Sequence, residues 1–228
     1  MPGAEGSGPR FGGFELRVLI LLSFTAGVFD ASSFVGLDKV FVANMTGNVV
    51  LVGLGLTAPG FTLGGPLVAL AAFVVGAAVA GRRGAAGRSR IELLQQTVVV
   101  EAVLLVPAIV LAIGYDGAHD LRRLLIIAAL GLAMGSRNET MREVGVPELA
   151  TTAQTVRVAT FAAEEAHRAG FGPRARRQLG AIVAMLIGAA VGGLLAVETD
   201  FVWCLALLLA IHVAVGTVLF VRDRREAD

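Results

Sequence analysis

The stretch Asn44-Met45-Thr46-Gly47-Asn48 interrupts an apolar run that extends over residues 40–57. Amide and hydroxyl side chains beside a glycine free the backbone from helical geometry where an ordinary membrane helix would be apolar throughout. A second polar stretch interrupts residues 149–163. Its polar residues are Thr151, Thr152, Gln154, Thr155 and Arg157. Neither segment suits contact with lipid along its whole length, so both are predicted to be re-entrant or broken helices.

The composition around these segments is that of an integral membrane protein. Hydrophobic residues make up 56% of the 228 residues, charged residues make up 16%, and the mean hydropathy is +0.77. Soluble domains carry about 25% charged residues. The net charge is +1 and no basic stripe with interleaved aromatic residues occurs, so nucleic acid is excluded as a partner. The lipid bilayer is the expected environment.

Six further apolar segments are predicted to span the membrane, because each offers most of the roughly 20 apolar residues that a spanning helix needs. They cover residues 16–37, 62–81, 93–114, 121–137, 178–197 and 199–221. Six spans place the arginine clusters on one side, which the positive-inside rule makes cytoplasmic. The clusters are the tail with Arg10, the loops Arg82–Arg90 and Arg168–Arg177, and the tail Arg222–Arg225. Arg122 and Arg123 are the exception, near the outer end of the fifth segment.

The chain is predicted to be an internal duplication, and the alternative is a chance resemblance between apolar helices rich in Gly and Ala. The sequence Gly-Ala-Ala-Val-Ala-Gly at 76–81 recurs as Gly-Ala-Ala-Val-Gly-Gly at 188–193, so Gly76 and Gly188 occupy equivalent positions. The repeat halves cover about 16–114 and 121–221. Because each half contributes three spans, the second half must be inverted, an architecture typical of transporters and channels. The predicted fold is an all-α, polytopic membrane helix bundle of six spans plus two re-entrant or broken helices, with an inverted repeat.

Two pairs of motifs resemble the YoaK-like family of bacterial multi-pass membrane proteins. The first pair is Gly27-Val-Phe-Asp30-Ala-Ser-Ser-Phe34 with Phe41-Val-Ala-Asn-Met45-Thr-Gly-Asn48. The second is Met134-Gly-Ser-Arg-Asn138 with Val146-Pro-Glu-Leu149-Ala-Thr-Thr152-Ala-Gln-Thr155. The resemblance covers nearly the whole chain after the N-terminal tail and implies a bacterial inner-membrane protein, without a substrate. Thr155-Val156-Arg157 stands where Thr-Gly-Thr is expected, which argues against symmetric use of the two Thr motifs.

The domain organisation follows from these patterns. A single membrane domain is predicted over 15–221, between a disordered cytoplasmic tail at 1–14 and a cytoplasmic C-terminal tail at 222–228. Both termini are therefore expected in the cytoplasm of a bacterial cell with the domain in its inner membrane. The pattern is also compatible with a homo-oligomer.

The candidate solute site lies between the Thr-bearing segments 44–48 and 151–157. Its substrate-binding candidates are Asp30, Asn44, Thr46, Gly47, Asn48, Asn138, Thr151, Thr152, Thr155 and Arg157. Asp30 lies in the second half of the first span, where a carboxylate is costly unless it faces protein or water. It is interpreted either as a proton or cation site or as an acid that pairs with arginine. For the Thr and Asn residues the alternative is helix packing, which also uses small and hydroxyl residues.

Two isolated titratable residues lie near mid-membrane. Glu101 and His212 each interrupt an otherwise apolar segment, and a Glu–His pair across the repeat interface can relay protons. A structural hydrogen bond between helices is the alternative. Asp30, Glu101 and His212 are thus the candidates for proton coupling. A buried arginine among the Thr hydroxyls would hold an anion or pair with Asp30, and for Arg157 this interpretation stands beside a surface position. For Arg137 the surface position is favoured, so Arg137 and Glu139 are predicted to lie at the cytoplasmic surface, where they set only topology.

No catalytic motif occurs in the sequence. A nucleophile elbow, a phosphate loop and a zinc-binding His-Glu-x-x-His helix are all absent. Cys204 is the single cysteine, which excludes an internal disulfide and gives no metal-ligand spacing. We therefore expect no enzyme activity, no cofactor and no metal. The predicted function is an inner-membrane transporter or channel for a small solute, with a proton-coupled version, and the alternative is a non-transporting component (assembly, regulatory or intramembrane enzyme).

Overall fold

The computed structural model describes residues 13–83, 88–117, 120–144 and 173–227. These residues form seven α-helices and contain no strand. The helices are α1 (Gly13–Gly36), α2 (Met45–Thr57), α3 (Gly64–Arg83), α4 (Arg90–Ala112), α5 (Asp120–Glu143), α6 (Pro173–Glu198) and α7 (Phe201–Ala227). The predicted all-α membrane bundle is confirmed. The second Thr-bearing segment, 149–163, lies outside the described residues, as do residues 1–12.

Six of these helices are long enough to span a membrane. Five of them (α1, α3, α4, α6 and α7) are also apolar enough by composition. The sixth, α5, has 24 residues but is polar towards its C-terminal end, where Ser136, Arg137 and Thr140 are buried in protein. This burial in protein compensates for the polar C-terminal end of the helix. α7 continues through residues 222–227, which the sequence assigned to a tail.

Two buried apolar clusters establish which helix ends lie together. One combines the N-terminal parts of α1 and α4 with the C-terminal parts of α5 and α7. Its members include Val18, Leu94, Met141 and Leu219. The other combines the opposite ends of the same helices. Its members include Leu37, Ala112, Ile127 and Phe201. Thus α1 and α4 run in one direction, and α5 and α7 run in the other.

Two helix pairs, α1 with α6 and α3 with α5, repeat the same close contact. A Cβ atom added to Gly188 in α6 would overlap the carbonyl oxygen of Phe24 in α1, and one added to Gly76 in α3 would overlap that of Leu132 in α5. Gly76 and Gly188 begin the recurring sequence, and nearly the same offset along the chain separates Phe24 from Leu132. The two contacts are therefore equivalent positions of two repeats.

The reciprocal contacts obey the same rule. A Cβ atom at Gly27 in α1 would overlap the carbonyl of Met185 in α6, and one at Gly135 in α5 would overlap that of Phe73 in α3. The distance along the chain from Gly27 to Gly135 is the same as that from Phe24 to Leu132. The distance from Phe73 to Met185 is likewise the same as that from Gly76 to Gly188.

Along α1 and α6, Gly188 lies against the Phe24 carbonyl and Gly192 against the Val28 carbonyl. Along α3 and α5, Gly131 lies against the Ala69 carbonyl and Gly135 against that of Phe73. In both pairs these contacts advance in the same direction along the two helices, so the partners are parallel. Because α1 and α5 run in opposite directions, the repeats are inverted, as the sequence predicts.

One end of the bundle collects arginines, and we call it the Arg-rich end. It holds the last turns of α3, α5 and α7 and the first turns of α1, α4 and α6. The arginines there include Arg82, Arg90, Arg142, Arg176, Arg222 and Arg224. The other end, the opposite end, carries the connections between α1 and α3, between α4 and α5, and between α6 and α7.

Residues 37–60 form a re-entrant hairpin that starts and finishes at the opposite end. The chain reverses after α1 at Asp38 and Lys39, whose φ angles of 62° and 59° lie in the left-handed region. It then runs back along α1 before α2 returns to the same end. There the Nζ atom of Lys39 donates to the Gly60 carbonyl over 3.4 Å, and the Thr62 hydroxyl donates to Asp38 over 3.0 Å. The re-entrant prediction for 40–57 is confirmed.

Arg122 and Arg123, the exception to the arginine pattern, serve the structure of the opposite end. The guanidinium of Arg122 donates to the Leu111 and Ile113 carbonyls at the C-terminus of α4, where positive charge is favourable. Arg123 donates to the Asp38 carboxylate over 3.0 Å and so ties the hairpin to α5. Both arginines have local partners that account for their place on this side.

Candidate functional site

A closed network of charged side chains lies in the core where α1, α4, α5 and α7 meet. Glu101 comes from α4, Arg137 from α5, His212 from α7 and Thr25 from α1. Their exposed fractions are 0%, 3%, 1% and 0%, respectively. A buried charge in a membrane protein is costly unless it is paired, so such a group marks a functional or structural centre.

Arg137 joins three helices through its guanidinium. Its Nε atom donates to Glu101 Oε1 over 2.6 Å, and its Nη2 atom donates to the second carboxylate oxygen. On the α1 side, Nη1 donates to the Leu22 carbonyl and Nη2 to the Thr25 hydroxyl, both over 3.0 Å. The two-pronged contact with Glu101 is the strong, geometrically specific kind of arginine–carboxylate pair.

His212 completes the network from α7. Its Nδ1 atom lies 2.6 Å from the Leu208 carbonyl, which can only accept, so Nδ1 carries a proton. Its Nε2 atom lies 2.6 Å from Glu101 Oε2 and 3.2 Å from Arg137 Nη2. An imidazole nitrogen and a carboxylate oxygen at such a short separation require a proton between them. The Glu101–His212 contact is therefore a hydrogen bond in which the two groups can share one proton.

The ring of Phe29 closes the apolar side of the network. It meets the His212 ring edge-on at a centroid distance of 6.1 Å, and the Arg137 Cζ atom lies 5.6 Å from its centroid. An aromatic face attracts a cation at this distance. Phe29 thus separates the charged groups from the apolar cluster around it.

The predicted surface position of Arg137 is wrong. Arg137 is buried with Glu101, whereas its neighbour Glu139 pairs with Arg142 nearer the surface. Helical spacing could have revealed this, because Arg137 falls on the same face of α5 as the buried residues Leu130 and Ala133. The polar context at 136–143 concealed that periodicity.

Glu101 and His212, which the sequence analysis proposed as a pair across the repeat interface, are in direct contact. The sequence allows two interpretations of this pair, a proton relay and a structural hydrogen bond between helices. Both interpretations require the contact. Asp30, the third proton-coupling candidate, lies instead at the hairpin. Its Oδ1 atom accepts from the amides of Ala43 over 2.8 Å and Asn44 over 3.2 Å. Asp30 therefore anchors the hairpin backbone near the start of α2.

The Asn residues of the polar break also serve the hairpin. Asn48 clamps Phe41, accepting from its amide over 3.0 Å and donating to its carbonyl over 2.6 Å. Asn44 caps α2 by accepting from the Gly47 amide over 3.2 Å. A Cβ atom at Gly47 would lie 2.7 Å from the Phe41 ring, so a larger residue there would have to displace the ring. These side chains build the re-entrant turn.

The remaining substrate-binding candidates divide into two groups. Thr46 is exposed on α2, and Asn138 is half-buried beside Arg137 on α5. Thr151, Thr152, Thr155 and Arg157 lie outside the described residues. Within the described ranges, no three His, Cys, Asp or Glu side chains are grouped so that they could hold a metal ion.

The comparisons with known proteins agree with the sequence motifs. The UPF0700 transmembrane protein YoaK of Bacillus subtilis is 26% identical over 151 residues, which cover 65% of this chain and 66% of that protein, a little less than two thirds of its length. No solved structure matches the chain. The family described as "Protein of unknown function (DUF1275)" matches over residues 18–218, nearly the whole membrane domain. This multi-pass membrane protein therefore belongs to the DUF1275 family.

Proposed function

We propose that the protein is a transporter or channel for a small solute in the bacterial inner membrane, coupled to protons through Glu101, Arg137 and His212. The observation that carries the proposal is the 2.6 Å contact between His212 Nε2 and Glu101 Oε2 in the core, where the two groups can share one proton. Two repeats of opposite orientation meet at this pair, which is the arrangement in which alternating-access carriers place their sites. The proposal is for transport and includes no enzyme activity.

The network supplies a way for a proton to change helix contacts. Arg137 Nη2 has two hydrogens but three acceptors in reach, namely Glu101, Thr25 and the Nε2 atom of His212. While the shared proton is present, these two hydrogens serve Glu101 and Thr25. When the proton leaves, His212 Nε2 and the carboxylate face each other as two acceptors, and an Arg137 hydrogen must turn to His212. Thr25 on α1 then loses its donor.

The solute path in this proposal runs beside the hairpin. The hairpin is anchored to α1 at Asp30, and the charged network contacts the same helix at Thr25. A movement of α1 would therefore displace both the network and the hairpin. The site between 44–48 and 151–157 remains the candidate for solute binding. Asn44 is half-buried and is the amide side chain nearest the start of α2, whereas the Asn48 amide is already bonded to the Phe41 backbone and the Met45 sulfur.

The alternative is a protein whose buried polar residues only hold helices together. It is favoured by the way Asp30, Asn44 and Asn48 spend hydrogen bonds on the hairpin's own backbone. Dry packing of this kind needs no solute. The two functions differ in whether the purified protein moves anything across a bilayer.

A proteoliposome assay separates the two. Liposomes containing the protein and an internal pH-sensitive dye are exposed in turn to amino acids, sugars and organic acids under an imposed pH gradient. A solute that moves with protons changes the internal pH. His212→Gln keeps a hydrogen-bond donor towards Glu101 but cannot titrate, so it should abolish proton movement.

Thr97→Val is the matched control for that variant. Thr97 is equally buried and lies one turn before Glu101 on α4, and its hydroxyl donates to the Leu93 carbonyl of the same helix. Thr97→Val should leave proton movement unchanged. Solute flux that is independent of pH would refute proton coupling and leave a passive channel. Absence of flux for every solute in the panel would favour the non-transporting alternative.

The proposed orientation places the Arg-rich end in the cytoplasm, following the positive-inside rule. Cys204 is buried, so an introduced cysteine reports alone in a labelling experiment. With an impermeant thiol reagent on intact cells, Glu198→Cys should be labelled and Arg88→Cys should be protected. The reverse pattern would invert the protein in the membrane.

A further inference from the structure

Two apolar grooves flank the C-terminal half of α7, and each ends at an arginine. The first, of about 460 Å³, lies between α4 and α7, with His212 at its inner end and Arg224 at its outer end. The second, of about 350 Å³, is bounded by Phe14 of α1 and ends at Arg222. The grooves share Thr217 and Val221, which stand between them as a ridge.

The first groove exists because small residues replace bulky ones along its floor. Ala102 and Gly216 line it, and a Cβ atom at Gly216 would come within 3.4 Å of a Val98 methyl. Its rim is apolar and exposed, with Val103 at 63% and Val213 at 56%. In a membrane protein such a rim faces the hydrocarbon of the bilayer.

The charges at the outer ends identify the occupant. Arg222, whose Cζ atom lies 4.5 Å from the centroid of the Phe14 ring, and Arg224 flank Asp223 at the Arg-rich end, at the level where a span leaves the bilayer. Basic side chains next to apolar grooves between membrane helices recognise anionic headgroups. Two grooves that begin at neighbouring arginines and run inward on either side of one ridge match two acyl chains that share one headgroup.

We propose that one anionic phospholipid, from the leaflet at the Arg-rich end, occupies both grooves. Its phosphate lies near Arg222 and Arg224, and the chain in the first groove reaches His212. A helix from a second copy of the protein fits less well, because it needs one continuous face and the Thr217–Val221 ridge divides this one. The lipid chain covers the place where the buried network comes nearest to the side of the bundle.

The test uses the full-length protein, purified in neutral detergent and stripped of lipid. Phosphatidylglycerol or phosphatidylcholine is added back, and bound lipid is counted by native mass spectrometry and by the shift in Tm. We expect one tightly bound phosphatidylglycerol, with phosphatidylcholine binding at least tenfold more weakly. Arg222→Gln with Arg224→Gln should remove that preference, and Gly216→Leu should reduce binding of both lipids because its side chain fills the groove.

Arg142→Gln is the matched control, since Arg142 is an exposed arginine at the same end that pairs with Glu139 away from the grooves. It should keep the preference for phosphatidylglycerol. Equal binding of the two lipids to the parent protein, or equal loss of preference in Arg142→Gln, overturns the proposal. So does a dimer that Val103→Cys cross-links in liposomes, because a second copy then covers the groove. If Gly216→Leu does not fold, the arginine pair and its control still decide.

Discussion

The two repeats are alike where helices touch and different where the repeats meet. Gly27 and Gly135 occupy equivalent places against α6 and α3, and both admit no side chain. At the centre, by contrast, the same offset along the chain relates Phe29 to Arg137, and these two unlike side chains contact each other. The same small residues thus allow close helix packing in both halves. The charged centre, by contrast, is built from different side chains contributed by each half.

Glu101 and His212 show why the centre has to differ. They lie at corresponding places in α4 and α7, and they contact each other. At the axis that relates the two repeats, a residue of one repeat meets the equivalent residue of the other. If the two residues were identical and charged, like charges would lie together. Two glutamates or two arginines there could not both remain charged. A charged network at this axis therefore requires that the repeats diverge.

The largest effect on stability is expected at the glycine contacts that the two repeats have in common. Gly27→Ala and Gly135→Ala each place a methyl group against a backbone carbonyl that cannot move away independently. Overpacking usually costs about 1–3 kcal/mol, and a clash with backbone should exceed that range. Both variants should fail to give a monodisperse peak on gel filtration.

Gly53→Ala is the control for this pair, because the Gly53 position in α2 has open space around it. It should elute like the parent protein. A well-folded Gly135→Ala with a misfolded Gly27→Ala would break the equivalence of the two contacts.

The second effect concerns the divergent centre. Arg137→Gln leaves Glu101 buried without its cation, which should lower the free energy of unfolding by about 3–5 kcal/mol. Glu101→Gln should cost a similar amount by stranding the guanidinium. Thermal unfolding of both single variants and the double variant gives the coupling, and the double variant should be more stable than the sum of the two predicts. Additive losses would mean that the two side chains do not act as a pair.

A smaller effect should follow from making one repeat resemble the other. Asn138 is the counterpart of Asp30, because the offset that relates Gly27 to Gly135 also relates these two residues, so Asp30→Asn copies the second repeat into the first. The amide oxygen still accepts from Ala43 and Asn44, but bonds to a neutral acceptor are weaker than bonds to a charged one. The expected loss is about 1 kcal/mol by thermal unfolding.

Asp30→Ala provides the comparison for that variant, because it removes both acceptor bonds and should lose more stability than Asp30→Asn. Equal losses would show that the charge of Asp30, and not its acceptor oxygen, holds the hairpin. That result would revive Asp30 as a proton or cation site.

The smallest effect is expected at the opposite end of the bundle. Arg123→Gln breaks the link between α5 and Asp38 in the hairpin, where the Asp38 side chain is 38% exposed. Exposed ion pairs contribute about 0–1 kcal/mol. The free energy of unfolding should change by less than about 1 kcal/mol. A loss as large as that of Arg137→Gln would show that the hairpin depends on this link more than on Asp30.

Much of the architecture was readable in the sequence because it depends on composition and period. Length and hydropathy locate the spans, and the polar break at 44–48 marks a segment that turns back. The recurrence of Gly76–Gly81 at 188–193 reveals the duplication, because small residues must recur wherever helices pack closely. The direction of the repeats follows from counting three spans in each.

The roles of individual polar residues were less readable. Arg137 reads as a surface residue beside Glu139 and Arg142, and the sequence contains no sign that Glu101 lies within reach of it. Asn44 and Asn48 look like ligands for a solute, yet their partners are the amide of Gly47 and the backbone of Phe41. A polar side chain in a hydrophobic run indicates that a hydrogen-bond partner is needed, but the sequence does not identify that partner.

The sequence by itself determined that the chain is a membrane bundle of inverted repeats, because burial in lipid imposes length, apolarity and internally satisfied backbone on every span. Only the tertiary structure decided which charges neutralise one another. Glu101 and Arg137 lie in different halves of the chain, and their contact depends on α4 and α5 packing side by side. Pairing energy acts through space over a few ångströms, so it cannot be read from positions along the chain.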